Sequence, residues 1–286
     1  MQIDLAIRAD AKLFLTAALD GNDFQYTAPN EWLNKCHDWK SRYSANESVA
    51  TVSGSLMSHY EFIDKLSEEL QPETNVITGS SGLAVEVFYS AFRNRPGQRL
   101  FLTSGLGAMG YGVAAAIGCC IGSKLRPTYC IESDGSLMMN LQELATLRSL
   151  GLPITVIVMN NGGYASIRNT QRNYFNSRFI GTDEPSGLFM PNLTEVAHSL
   201  DIEAIEIKNS HELSVALSGE VPNRPRLLNV LLARDEVLAP KVSAIPQKDG
   251  SIISMPLEDM SPLLSLEVLM HEMLIPLTNQ SHEARS

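Results

Sequence analysis

The sequence is poor in cysteine, in basic charge and in long apolar runs, and each shortage excludes something. Its four cysteines, Cys36, Cys119, Cys120 and Cys130, show no CxxC spacing. A disulfide framework and a zinc ribbon are thereby excluded. Three of the four sit in apolar stretches and read as reduced core residues, as expected of a cytoplasmic protein. No window approaches the roughly 18 apolar residues of a membrane span, and the opening MQIDLAIRAD lacks the apolar core of a secretory signal. A soluble chain without membrane partners is the expectation. Lysine and arginine number 22 against 32 acidic residues, a net charge of −10, with no basic run or aromatic platform. That balance argues against broad binding of nucleic acid or an anionic membrane. The sequence contains no internal repeat and no low-complexity segment.

What is present is a folded composition, 44% hydrophobic over 286 residues, enough for one large or two ordinary domains. Residues 1–50 carry a helix-like stretch from Ala9 to Leu19 and both tryptophans, Trp32 and Trp39, but too little periodic apolar sequence for a core of their own. From Ser58 the pattern becomes regular. An amphipathic helix places Phe62, Ile63, Leu66 and Leu70 on one face. Short apolar runs follow at 75–78, 99–103, 128–131, 154–159, 204–207 and 227–232, with helical stretches between them, including 137–150 and 192–200. Continuous rather than alternating runs are the mark of buried parallel strands. The predicted fold is therefore α/β, a Rossmann-like, doubly wound parallel sheet with helices on both faces. Residues 162–192 read as a polar, arginine-bearing lid. Beyond Asp235 four prolines make the chain loop-like, with a weak helix at 264–273.

The chemistry concentrates between Ile131 and Asn161, a stretch that can make a strand, a turn carrying Asp134, a helix, and a strand ending in Asn160 and Asn161. A parallel sheet brings Asp134 and Asn161 to one edge, the edge where open α/β sheets bind ligands. A Mg²⁺ ion takes roughly six oxygens, some from carboxylates and others from phosphate and water. A turn aspartate is ordinarily a solvated one, and the Asn161 partner tips the reading to a metal ligand. Backbone N–H groups of Gly135 and Ser136 could meet a diphosphate at the helix start. Ser80 and Ser81, in the turn from Gly79 to Gly82, read equally as phosphate contacts or as a helix cap. A rival motif, Gly105-Leu-Gly-Ala-Met-Gly110, fits GxGxxG, with Glu132 near the place of a ribose-binding acid. Alone it suggests an NAD- or FAD-binding Rossmann domain, but it gives no reason for the pairing of Asp134 with Asn161. Arg168, Arg172 and Arg178 could meet a substrate carboxylate, although a solvated lid is the preferred account. Glu143 reads as structural, and His59 and His198 as surface or capping residues.

The 131–161 stretch resembles the diphosphate-binding motif of thiamine-diphosphate enzymes, a Gly-Asp-Gly followed some 25 residues later by Asn-Asn, and is most similar to the acetolactate synthase group. The resemblance covers roughly residues 45–260. It implies thiamine diphosphate and Mg²⁺ as cofactors, with the Gly163 carbonyl completing the metal set of Asp134 and Asn161. It implies that Gly107 and Met109 hold the polar edge of the aminopyrimidine ring and that the Met109 side chain is a wedge beneath it. It implies decarboxylation and carboligation of a 2-oxo acid, the work of a lyase or transferase. Two positions depart from the family pattern. Ser133 replaces the first glycine, which requires a negative φ there, and Thr170 stands where acetolactate synthases carry a tryptophan. The activating glutamate of this superfamily comes from a separate pyrimidine-binding domain, so the isolated chain is expected to be inactive. A homo-oligomer or a chain bearing that domain is the expected partner. The implied division is a middle-domain remnant and linker at 1–50, the cofactor-binding domain at 51–235 and a tail at 236–286. A truncated or non-catalytic cofactor-binding module is the alternative.

Overall fold

The computed structural model describes residues 3–21, 27–43, 56–79, 82–103, 105–219, 221–246 and 251–285. The chain divides into two compact units, Met1–Ser44 and Ala45–Ser286. The first holds helices α1 (Ala11–Asp20), capped by the Asp10 carboxylate, and α2 (Asn30–Arg42), neither of which buries a residue. Trp32 and Trp39 meet edge to face on α2 with ring centroids 5.9 Å apart.

The second unit is built on six parallel strands, β1 (Asn75–Thr78), β2 (Arg99–Phe101), β3 (Thr128–Ser133), β4 (Ile154–Asn160), β5 (Glu203–Ile207) and β6 (Arg226–Leu231), in the order β2-β1-β3-β4-β6-β5. The central strands β1, β3 and β4 are buried on both faces, which is why their sequences run apolar without alternation. Helices α3 (His59–Glu69) and α4 (Leu83–Ala91) lie on one face, where Phe62, Ile63, Leu66, Val87 and Phe88 join one core cluster. Helices α5 (Tyr111–Gly122), α6 (Asp134–Leu137), α7 (Glu143–Leu150), α8 (Ala165–Tyr174), α9 (Leu193–Ser199) and α10 (Ser210–Leu217) follow. Val113, Leu144, Leu147, Leu193 and Ala197 fill a second cluster on the opposite face, while Leu213 and Leu217 of α10 return to the first. The fold is the doubly wound α/β sheet that the sequence predicts.

Three stretches differ from the sequence-based expectation. The helix expected at 137–150 is broken into α6, a 3₁₀ turn at Met138–Asn140 and α7. The break has a cause, because Asn140 Nδ2 donates to the Gly110 carbonyl at 3.0 Å and holds this turn against the 105–110 loop. The expected lid contains α8, whose inward face is Ala165 and Arg168 rather than an apolar stripe. The tail forms two short antiparallel strand pairs and helices α11 (Leu266–Glu272) and α12 (Asn279–Glu283).

The order of strands fixes where a ligand belongs. Passing from β1 to β2 the chain moves one way across the sheet, and from β2 to β3 it moves back past β1. That reversal makes the crevice beyond the carboxyl ends of β1 and β3 a topological switch point.

Candidate cofactor and metal site

Asp134 follows directly on β3, at that crevice, and its carboxylate is fully buried. It accepts the N–H of Gly163 at 2.7 Å on one oxygen and that of Gly135 at 2.9 Å on the other. Burial raises its pKa to about 6, against the pull of those N–H groups and of the Arg168 charge. Desolvation therefore outweighs its hydrogen bonds. The 161–163 turn that folds over it admits little besides glycine at its end. Gly163 has φ +123°, and a Cβ there would stand 2.4 Å from the Thr182 carbonyl oxygen. Its own carbonyl oxygen lies 3.4 Å from a Cβ built on Gly135, and so faces the Asp134 turn.

The two asparagines divide their work. Asn160 is structural: its Nδ2 donates to Asn229 Oδ1 at 3.0 Å, and its Oδ1 accepts the Gly162 N–H at 3.1 Å. Asn161 is buried, with Nδ2 3.2 Å from His59 Nε2 and Oδ1 accepting from Arg168 Nη2 at 3.4 Å. Among the described residues no cluster of three or more His, Cys, Asp or Glu side chains is placed to hold a metal ion. A cation here would depend on one carboxylate, one amide and one backbone carbonyl, with ligand and water oxygens supplying the rest. That is a donor set suited to Mg²⁺ and unsuited to zinc. The residues present thus fit a magnesium–diphosphate group.

The remaining candidates are placed as follows. Ser133 has φ −84° and ψ 152°, an extended backbone that serine adopts freely, so the substitution for glycine costs no strain. Gly135 meets the Tyr164 ring so closely that a Cβ would lie 2.5 Å from it, and its N–H is engaged by Asp134. Ser136 Oγ accepts the Gly110 N–H at 2.9 Å and ties the 105–110 loop to the Asp134 turn. Gly107 has φ +58°, and Met109 beside it is 37% exposed, so it is not a core methionine. Ser80 and Ser81 lie outside the described residues. Glu132 is sealed inside, accepting the Gly112 N–H at 2.9 Å, with burial raising its pKa. A carboxylate so enclosed is not presented to a ribose, which removes the acid that the dinucleotide reading needs.

Two expectations are corrected. Arg168 is 1% exposed and belongs to no solvated lid. It donates to the carbonyls of Asn161 and Arg234 at 2.9 Å and of Thr182 at 3.1 Å, and so joins three separate segments around the Asp134 site. Both terminal nitrogens are engaged, Nη1 by the Gly162 and Thr182 carbonyls and Nη2 by those of Asn161 and Arg234, and the Nε–H, buried without a hydrogen-bond partner, is not presented to a substrate carboxylate. His59 is neither a surface nor a capping residue: it is fully buried, with Nδ1 2.5 Å from Glu236 Oε2. Sequence reasoning missed Glu236 altogether, since nothing local in a proline-rich tail marks a buried acid. Arg172 pairs with Asp235 at 2.6 Å, and Arg178 is exposed. His198 lies at the surface with Nε2 3.2 Å from the Ala204 carbonyl.

Comparison with known proteins identifies the family of the domain that carries this site. Residues 78–230 match the family model for the C-terminal TPP binding domain of thiamine pyrophosphate enzymes. The acetolactate synthase large subunit of Parasynechococcus marenigrum is 28% identical over 243 residues, 84% of this chain and 38% of that protein. The isozyme 1 large subunit of Escherichia coli acetolactate synthase is 30% identical over 189 residues, 65% of this chain and 33% of its own length. A thiamine diphosphate-dependent 4-hydroxybenzoylformate decarboxylase from Rhodococcus jostii superposes with a TM-score of 0.57 at 18% identity, over 66% of this chain and 35% of that one, and shares the fold. The chain spans about a third to two fifths of the length of the curated relatives it matches. It belongs to the thiamine pyrophosphate enzymes and carries their C-terminal TPP-binding domain, in its acetolactate synthase-like form.

Proposed function

We propose that this chain holds thiamine diphosphate through Mg²⁺ and serves an acetolactate synthase-like enzyme that decarboxylates a 2-oxo acid and joins the remainder to an acceptor. The observation that carries this reading is the 161–163 turn closed over a buried Asp134, whose carboxyl is held near neutrality in pKa by desolvation. Such a group gains most from a cation. Asp134, Asn161 and the Gly163 carbonyl would hold the metal, and Ser80, Ser81 and Ser136 would face the diphosphate, joined by the Gly135 N–H once the Asp134 carboxylate turns from it to the metal. Gly107 and Met109 would hold the aminopyrimidine, with the half-exposed Met109 side chain free to lie beneath it. When bound, thiamine diphosphate supplies an electron sink for carbonyl carbon. This chain's share is to bind and orient; the carboxylic acid that handles the ring proton belongs to a pyrimidine domain.

That requirement makes a partner part of the proposal, either a second copy within a longer protein or a separate chain. An open sheet edge supports it: among the described residues β2 pairs with β1 alone, Phe101 on it is exposed, and Ile121 and the outer glycines of α5 are exposed as well. The division into a leading segment at 1–50, a cofactor domain at 51–235 and a tail at 236–286 belongs to the same reading, as does a cytoplasmic setting. No helix among the described residues is long and apolar enough to cross a membrane.

The test is calorimetric titration of thiamine diphosphate into the chain with and without Mg²⁺, for wild type and Asp134→Ala, and then of NAD. Binding that requires Mg²⁺ and disappears in the variant is the expected result. Binding of NAD in its place overturns the reading, and binding of neither leaves a non-catalytic module.

A further inference from the structure

The amide of Asn161 can serve a metal only with its oxygen, yet a freely turning amide presents oxygen and nitrogen alike. We infer that His59 and Glu236 are positioning residues that fix this choice, turning the Asn161 oxygen toward the metal edge. The inference rests on the metal role proposed above for Asn161.

The assignment follows from donors and acceptors alone. A guanidinium only donates, so the Asn161 atom that lies 3.4 Å from Arg168 Nη2, a long contact beside the 2.9 Å bonds this nitrogen gives to the Asn161 and Arg234 carbonyls, is the oxygen. The nitrogen then faces His59 Nε2 at 3.2 Å. Because an amide nitrogen only donates, Nε2 accepts and the ring proton sits on Nδ1. That proton points at Glu236 Oε2, 2.5 Å away. One arrangement satisfies all three contacts. Turning the amide over would set its N–H₂ against the guanidinium, donor against donor, in a site closed to water. His59 and Glu236 have no room to compensate, since neither side chain is more than 1% exposed.

The fold brings these distant residues together deliberately. Met57 forms a parallel bridge with Leu232, and the Ala233 N–H donates to the Met57 carbonyl at 2.9 Å. The segment entering α3 thus runs beside the segment leaving β6, and the two meet over the end of β4. Glu236 also accepts the His59 backbone N–H, and Tyr60 closes the same seam by accepting the Ala239 N–H at 2.9 Å. A carboxylate that orients an imidazole, which in turn orients a ligand, is a general way of fixing metal-site geometry. Loss of such an outer partner typically costs about 10–100-fold in metal affinity.

Two measurements test it. Long-range ¹H–¹⁵N NMR of the wild-type chain should find His59 as the Nδ1–H tautomer with Nε2 accepting; an Nε2–H tautomer overturns the inference, whether or not cofactor binds. The second is the Mg²⁺ concentration at half-saturation for thiamine diphosphate binding. His59→Phe should raise it about 10–100-fold, and His59→Gln, which restores an acceptor, should return it to within a few-fold of wild type. A folded His59→Phe with an unchanged Mg²⁺ midpoint overturns the inference while leaving the proposed function intact. Absence of Mg²⁺-dependent binding in the wild type sinks the proposed function and with it the metal role of this relay, and the tautomer then tests only the orientation of the amide. If His59→Phe fails to fold, the tautomer and the milder Glu236→Gln variant carry the test.

Discussion

The two edges of the central sheet hold their carboxylates in opposite ways. At the carboxyl edge His59, Asp134, Asn161, Arg168 and Glu236 are all buried, bonded to one another or to backbone. At the amino edge charges meet at the surface: Arg148 with Asp201, whose side chains are 50% and 83% exposed, and Arg126 with Glu73. Burying a polar group is costly unless it is partnered, whereas exposed ion pairs are cheap to form and give little back. The amino edge has buried polar groups too, among them Asn75, Thr128, Thr155 and Arg226, but the buried carboxylates of the sheet, Glu132, Asp134 and Glu236, gather at the carboxyl edge, where a cation can be bound. The carboxylates of the amino edge, Glu73 and Asp201, are solvated. Substitutions on the two sides should therefore differ in size and even in sign.

Arg168→Ala should give the largest loss. The guanidinium satisfies carbonyls from three segments, and its removal leaves them buried without donors. A destabilisation of about 3–5 kcal/mol is expected in urea unfolding, in line with removal of one member of a buried charged network. A loss as small as that of a surface arginine would erase the contrast between the edges.

Asp134→Asn should act in the opposite direction on stability. Burial raises its pKa from the ordinary 3.8 to about 6 in the folded chain, so the native state holds the proton more tightly than the unfolded state does. Stability then falls as pH rises between those values, and the full penalty, up to about 3 kcal/mol, is present above pH 6. An amide removes the charge but gives up one N–H acceptor, so the ligand-free variant should be about 1–3 kcal/mol more stable than wild type at pH 7.5. The advantage should shrink through pH 6 and be gone near pH 4, while Mg²⁺-dependent cofactor binding is lost throughout. Paired melts across that range read the sign directly.

Gly163→Ala should cost about 2 kcal/mol, since a side chain at φ +123° is strained and its Cβ runs into the Thr182 carbonyl. The loss should appear in denaturant midpoints of the ligand-free chain.

The same division explains what the sequence made legible. Strands such as 75–78 and 154–159 were readable because a buried parallel strand is apolar throughout. The placement of Asp134 and Asn161 at one sheet edge and the negative φ of Ser133 were readable because they lie in one strand–turn–helix–strand unit, and local spacing carries that geometry. Helix α8 was not, because a buried face made by Arg168 looks, in sequence, like a solvated one. Helix α10 carried a usable cue, Asn209 accepting from the Glu212 N–H three residues on, but with few apolar positions behind it. The pairing of His59 with Glu236 spans 177 positions, and no local pattern encodes it. What escapes sequence reading here is the polar interior, where partners are chosen by topology.

The smallest effect belongs to the amino edge and is the control for all the others. Arg148 donates from Nε to the Asp201 carbonyl at 3.0 Å and from Nη2 to its carboxylate. On contacts alone the pair looks as well made as those at the opposite edge. Its exposure says otherwise, because water replaces each bond as it breaks and salt screens the charges. Arg148→Ala should move the melting temperature by no more than about 2 °C, less still in 0.5 M salt, with Mg²⁺-dependent cofactor binding unchanged. A shift approaching that of Arg168→Ala would mean that contact geometry, and not desolvation, separates the two edges.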